Sequence, residues 1–344
     1  MKRLLSLVAV LSVAAVLVVG CGGKKDQSAN GAFKAAMVTD VGGINDQSFN
    51  QSAWGGMEKL KSEGVTVSFL ESHRGSDYAP NLEKSIDAGA DIIWAIGFMM
   101  KDPLQQIAQA NPDQLFALVD DTYPDGTVPN VIGVTFKAEQ SSFEVGYIAA
   151  YMTKTNHVGF IIGMESPVMN RFKYGYFAGV QYAAKEMGKK IQVDYQIMES
   201  FTDAAKGKAA ALKMYTSGAD VIFHAAGGVG QGVIEAAKER NLWVIGVDLD
   251  QNYMAPDNVI TSALKNVDIG VYDVTKRVMA GEKLGGTTVE MGLSDGGVGI
   301  APTSGKLVPA DILQKTKDIE NKIINGQIIV PITDAQYQQF IKGL

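Results

Sequence analysis

The sequence predicts an α/β protein of two similar lobes, each a parallel sheet flanked by helices, with a cleft between them. Three observations carry that expectation. Apolar runs of strand length alternate with helical-period segments along the chain, the pattern of parallel sheets covered on both faces. The chain also repeats itself: Glu71-Ser72, Gly89-Ala90-Asp91, Asp120 and Lys137 recur as Glu199-Ser200, Gly218-Ala219-Asp220, Asp248 and Lys265, with 17 positions from Asp120 to Lys137 and 17 again from Asp248 to Lys265. Finally, each repeat ends an apolar run on an acid, so carboxylates from both lobes are expected to meet one polar, uncharged ligand.

The first residues form an export leader. Lys2 and Arg3 precede an apolar run from Leu4 to Val19 that is short for a membrane span. Val18-Val19-Gly20-Cys21 resembles the lipobox of bacterial lipoproteins, and Cys21 is the single cysteine of the 344 residues. Residues 1–20 are therefore expected to be cleaved and 21–32 to form a linker lipidated at Cys21. The lipid anchor would hold the protein on the extracytoplasmic face of the cell membrane. With Cys21 acylated, no thiol remains for disulfides or catalysis.

In the first lobe, strands are expected at Phe33–Thr39, Val65–Glu71, Asp91–Ile96, Leu115–Asp120 and Val131–Phe136, with a helix over Ser48–Glu63 stopped by Gly64. The second lobe repeats the scheme. Its strands are His157–Gly163, Ile191–Met198, Asp220–Ala225, Trp243–Asp248 and Val259–Leu264, and its helices Phe172–Met187, Ala204–Thr216 and Gly230–Arg240. Helices at Glu139–Lys154 and Val267–Met279 follow the two crossings, so residues 33–136 and 266–300 are assigned to lobe 1 and 137–265 and 301–344 to lobe 2. Thr288–Leu293 reads as a strand, Asp295–Gly299 is Gly-rich, and Ser294–Gly297 and Thr303–Gly305 read as turns. A helix over Pro309–Ile324, a short strand near Ile328–Val330 and a last helix at Asp334–Ile341 have no counterpart in the repeat.

Composition narrows the function. The formal charge is −6, or about −8 once Lys2 and Arg3 leave with the leader, and the lysines form no stripe, which argues against nucleic acid as a partner. The three histidines have neither metal-ligand nor nucleophile partners at a recognised spacing, so no cofactor, metal or catalytic role is expected. Gly227 to Gly232 lies between a strand and a helix, but its spacing is not the Gly-x-Gly-x-x-Gly of a dinucleotide site.

Ligands of open α/β sheets lie beyond the carboxyl ends of the strands, which selects candidates. After the first strand come Asp40, Asn45, Asp46 and Phe49, with Asp46 also suited to capping the next helix. Asp120 and Asp248 end the fourth strands, where a buried carboxylate is costly without donors; Asp121 and Asp250, beside them, are alternatives for turn duty. Phe49 and Phe201, one from each lobe, are placed to sandwich a planar ring. With Lys265 the one cation weighed against Asp40, Asp120 and Asp248, a phosphate would be repelled. The expected ligand has many donors, a flat ring and no phosphate.

Asp40 through Gly55, Phe172 to Gly179, Gly246-Val247-Asp248-Leu249-Asp250-Gln251, Thr261 to Lys265 and Asp295-Gly296-Gly297-Val298 together resemble the basic membrane protein family of bacterial substrate-binding lipoproteins, and within it purine nucleoside receptors. The resemblance covers the mature chain. It implies a type I periplasmic-binding-protein fold and delivery of guanosine, inosine or adenosine to an ABC transporter permease. It also implies that Phe49 and Phe201 stack on the base, that Asp40, Asn45 and Asp120 read its polar edge, and that Gly227, Asp248 and Lys265 serve the ribose. Leu249, between two acids, departs from the small or polar residue common there. A sugar or autoinducer receptor of the same fold, a surface nucleosidase and an adhesin remain the alternatives.

Overall fold

The computed structural model describes residues 32–344. The leader, Cys21 and the linker up to Gly31 lie outside them, and with them the expected cleavage and lipidation. From Phe33 to Leu344 the chain is one compact unit built on two six-stranded sheets.

The first sheet takes β1 (Lys34–Val38), β2 (Thr66–Leu70), β3 (Ile92–Ile96), β4 (Leu115–Val119) and β5 (Val131–Phe136), all parallel, in the order 2-1-3-4-5. The second takes β6 (His157–Ile162), β7 (Gln192–Ile197), β8 (Val221–Ala225), β9 (Trp243–Asp248) and β10 (Val259–Lys265) in the same relative order. Strands β3 and β8 are buried along their whole length, as expected of central strands covered by helices on both faces. In both sheets the strand order reverses beside the first strand of the lobe, so the ligand crevice of each half opens at the carboxyl end of β1 or β6.

Helices α1 (Phe49–Ser62), α2 (Tyr78–Asp87) and α3 (Lys101–Ala110) flank the first sheet. The chain crosses after β5, and α4 (Ala138–Met152) packs on α5 (Pro167–Glu186) of the second lobe. Then come α6 (Ala204–Thr216) and α7 (Val229–Arg240). After β10 the chain crosses back, and α8 (Val267–Met279) packs on α1. Strand β11 (Thr288–Met291) extends the first sheet parallel to β5, whereas β12 (Val298–Ile300) pairs antiparallel with β10. The final helices are α9 (Ala310–Ile324) and α10 (Asp334–Gly343).

Val298–Ile300, just beyond the turn read at Ser294–Gly297, pairs antiparallel with Ala263–Lys265 of the second sheet. Two expectations are corrected here. No strand forms at Ile328–Val330; Ile328 and Val330 are buried against the second-lobe core without a ladder. Helix α5 begins five residues before Phe172, because Ser166 caps it by accepting the Met169 amide and Pro167 fits the first turn.

That early start matters because it aims Met169 and Phe172 into the cleft. Helix α5 is held there by close packing on α4, which is buried on nearly every face. A Cβ on Gly179 would sit 2.1 Å from the Phe143 carbonyl oxygen, and one on Gly175 would sit 2.4 Å from that of Glu139. The contacting atoms are backbone and cannot swing away. Gly179→Ala is expected to lower the unfolding free energy by about 2 kcal/mol in denaturant titration, whereas Gly299→Ala, with open space around its Cβ position, leaves it within about 0.5 kcal/mol. Equal stability of the two variants would contradict the packing.

Candidate functional site

The carboxyl ends of both sheets meet in one cleft pocket. Asp40, Asp46, Phe49 and Asp120 line it from the first lobe, and Phe201, Gly227, Asp248 and Lys265 from the second. Asn45 does not. It stands exposed on an outer groove, because the turn after β1 directs Asp46, rather than its neighbour, inward. Asn50, one helical turn on, takes the polar place beside Asp40.

The repeat extends to backbone conformation. Asp120 and Asp248 both adopt the left-handed region, at φ 70° and 62°, which Asp tolerates better than most residues. The earlier acids of the repeat, Asp91 and Asp220, lie at the amino ends of the strands and are structural. Asp91 accepts the Lys34 amide at 2.7 Å, and Asp220 accepts the amides of Lys154 and Thr155. Asp121 pairs with Lys101 at 2.7 Å, and Asp250 accepts the Thr303 hydroxyl and the Asn252 amide. Of each adjacent acid pair, one is tied to a loop and one faces the cleft.

Each cleft carboxylate meets its burial differently. Asp46 accepts the amides of Ser48, Asn50 and Gln51, at 2.9, 2.8 and 3.1 Å, so the orphan donors of α1 hold it. Asp40 accepts the Gly42 amide at 2.9 Å and Asn50 Nδ2 at 2.7 Å, both on Oδ1, while its Oδ2 lies beside Gly97. Gly97, at φ 113°, is where the chain leaves β3, and a Cβ there would crowd both Asp40 and the Phe49 ring. Asp248 accepts the Ser48 hydroxyl from the opposite lobe. Asp120 accepts the Lys265 ammonium on Oδ2, while its Oδ1 is buried with no partner among the described residues. Asn50 Oδ1 is in the same condition.

Lys265 is 2 % exposed. Its ammonium bonds Asp120, lies 3.9 Å from Asp248 and stands 4.3 Å from the Phe49 ring centre, with Phe172 at 5.7 Å. Its counterpart Lys137 has a surface role, 3.7 Å from Glu290. Phe98, at the end of β3, was not among the sequence candidates; its ring meets Phe201 across the cleft at 6.3 Å and 72°. The rule of strand carboxyl ends reaches Phe98, and the motif beginning at Phe172 reaches that ring. Ser48 and Asn50 lie in the segment Asp40 to Gly55 already singled out, at the start of α1, but only the turn geometry reveals their direction.

Further contacts hold the lobes together beside the pocket. Gln231 Nε2 donates to the Asp46 carbonyl at 3.2 Å, Gln251 Nε2 to the Gln47 carbonyl at 2.8 Å, and the Tyr253 hydroxyl to Gln47 Oε1. One short loop, Asp46 to Ser48, thus grips three elements of the other lobe. The glycines at 230 and 232 serve packing: Cβ atoms there would strike the His224 ring and the Ala204 carbonyl.

Comparison with known proteins places this geometry. The family described as ABC transporter substrate-binding protein PnrA-like matches residues 33–334. The chain is 38% identical to a CD4+ T-cell-stimulating antigen of Listeria innocua over 359 aligned residues, covering 96% of this chain and 99% of that protein. It is 37% identical to the ABC transporter nucleoside-binding protein BmpA of Lactococcus lactis, covering 96% and 99%. A crystal structure of an ABC transporter system solute-binding protein from Aeropyrum pernix superposes with a TM-score of 0.81 at 28% identity, over 90% of this chain and 96% of the other.

Burial pushes the Asp40 carboxyl up to about 6, against the Gly42 and Asn50 donors that lower it. Burial does the same to Asp248, also to about 6, opposed by Lys265 and Ser48. Both values exceed the ordinary 3.8. Protonation therefore favours the folded state, a contribution fully present below pH 3.8 and lost as pH rises through about 6. In Asp248→Asn, the decline in unfolding free energy between about pH 4 and about pH 7 should be smaller than in the parent by about 2 kcal/mol. Denaturant titrations across that window read the difference, and parallel pH profiles would contradict it.

Proposed function

The chain belongs to the PnrA-like family of ABC transporter substrate-binding proteins, and from that position we propose that its cleft binds purine nucleosides and offers them, enclosed, to a membrane permease. The observation that carries this reading is Asp120 Oδ1, a buried acceptor without a partner among the described residues, on a residue lining a pocket that phenyl rings share with Asp248 of the other lobe. Such an acceptor favours a guest with N–H or O–H groups. The rings Phe49, Phe98, Phe172 and Phe201 favour a flat one. A purine nucleoside supplies both, with base donors at one end and ribose hydroxyls at the other.

Within this reading Phe49 and Phe201 supply stacking surface, and Asp40 and Asp120 take base donors. Asp248 and Lys265, beside Gly227, serve the ribose, while Asn50 takes the place first given to Asn45. Asp46, saturated by the amides of α1, positions the loop rather than the ligand. The lobe contacts through Gln47, Ser48 and Gln231 favour the closed form, so a guest that also touches both lobes shifts the population further toward closure. A Cys21 lipid anchor would keep this body beside its permease on the extracytoplasmic face of the membrane. Two stacked faces and several charge-assisted bonds are of the size that micromolar to nanomolar binding requires, about 8 to 12 kcal/mol after association costs.

Calorimetry with guanosine, inosine, adenosine, cytidine, ribose and glucose tests the cargo. Purine nucleosides should bind at micromolar or tighter Kd and be recovered intact. Tight ribose or glucose binding with no nucleoside response would replace the cargo with a sugar, and release of free base would make the protein a nucleosidase. Phe201→Ala and Asp120→Asn should each weaken nucleoside binding by more than about tenfold; unchanged affinity in both would move the site elsewhere.

A further inference from the structure

The pocket is unbalanced in charge. Asp40, Asp46, Asp120 and Asp248 face it against Lys265 alone, the one cationic side chain among the residues that line it. All five are at least nine-tenths buried. The acids lie close enough to feel one another across the lobes: Asp40 is opposed by Asp46 and Asp120, and Asp248 by the same two. Asp120 lines this space and keeps one buried oxygen without a partner among the described residues, and the remaining wall is largely aromatic, with Phe49, Phe98, Phe172 and Phe201. Ring faces carry negative potential, and Phe49 already holds one cation, the Lys265 ammonium, at 4.3 Å.

Resting on the nucleoside reading, we propose that the cleft is selective for charge and prefers nucleosides with a cationic base, such as the N-methylated purines, over their neutral parents. Three physical terms act together. A delocalised positive charge on the base is attracted by carboxylates in a medium where attraction is screened far less than in water. It stacks on phenyl faces more strongly than a neutral ring of the same shape. It also relieves the mutual repulsion of the acids, which a neutral guest does only through its hydrogen bonds. The same field excludes anions, so a 5′-phosphate or a deprotonated base enters at a cost that Lys265 alone does not offset.

The test titrates the mature chain with guanosine against 7-methylguanosine at about pH 6.5, above the value of about 6 through which Asp40 and Asp248 ionise and still low enough that the methylated base keeps its N1 proton and its positive charge. It does the same with adenosine against 1-methyladenosine, whose methyl lies on a different edge, so that one steric clash cannot decide both pairs. Guanosine 5′-monophosphate is the anionic probe. At least one cationic base should bind about tenfold or more tightly than its neutral parent, and the monophosphate about a hundredfold more weakly than guanosine. Asp120→Asn keeps a residue that tolerates the left-handed backbone, and in it the cationic preference should shrink by about tenfold. If that variant does not fold by circular dichroism, Asp40→Asn takes its place. Neutral parents that match or beat both cations would overturn the charge preference and leave the nucleoside reading standing. A preference undiminished in the folded variant would also overturn it. Failure of every nucleoside to bind would end both.

Discussion

Four carboxylates buried in one cleft, with one ammonium among them, are the constraint that organises this protein. Burying an unpaired charge costs several kcal/mol, so each acid has an arrangement that makes its burial tolerable. Asp46 takes three amides at the start of α1, Asp40 takes one amide and Asn50, Asp248 takes a hydroxyl from across the cleft, and Asp120 takes Lys265. The residue of unmet demand sits on Asp120 Oδ1 and Asn50 Oδ1. A binding protein needs that remainder, since a pocket satisfied internally would have little to gain from a guest.

The duplicated half supplies the geometry. Two sheets with the same strand order place equivalent acids at equivalent strand ends, each in a left-handed turn, and the crossings after β5 and β10 bring those ends face to face. Symmetry stops at the side chains. Lys265 is drawn into the cleft while Lys137 stays at the surface with Glu290, and the last strand of each sheet runs parallel in one lobe and antiparallel in the other. The two halves thus share one framework and bring different side chains to one pocket.

The framework was readable in the sequence because it depends on patterns that survive without coordinates. Continuous apolar runs marked β3, β4, β8 and β9 to within a residue, and the spacing from Asp120 to Lys137 and from Asp248 to Lys265 disclosed the duplication. What escaped depends on direction rather than pattern. Asn45 and Asn50 are the same residue type five positions apart, and only the turn after β1 decides which one faces Asp40. Phe98 follows a glycine whose φ of 113° points the chain into the cleft, a fact no propensity encodes. Ile328 to Val330 was read as a strand from its apolar character, yet burial against the second lobe meets the same demand without a sheet partner. β12 was hidden in a run of glycines, where pairing with β10 outweighs the weak strand preference of the residues themselves.

Proton release on binding is the quantity that reports whether ligand donors, rather than shape alone, hold these acids ionised. It is obtained by calorimetry of inosine binding in buffers of different ionisation enthalpy. Near pH 6, where Asp40 and Asp248 are each about half protonated in the free protein, a guest whose donors bond these carboxylates lowers their pKa. Binding should then release between about half a proton and one proton, falling toward none above about pH 8. Tight binding with no proton exchange near pH 6, or with net uptake, would show that the acids do not meet the ligand.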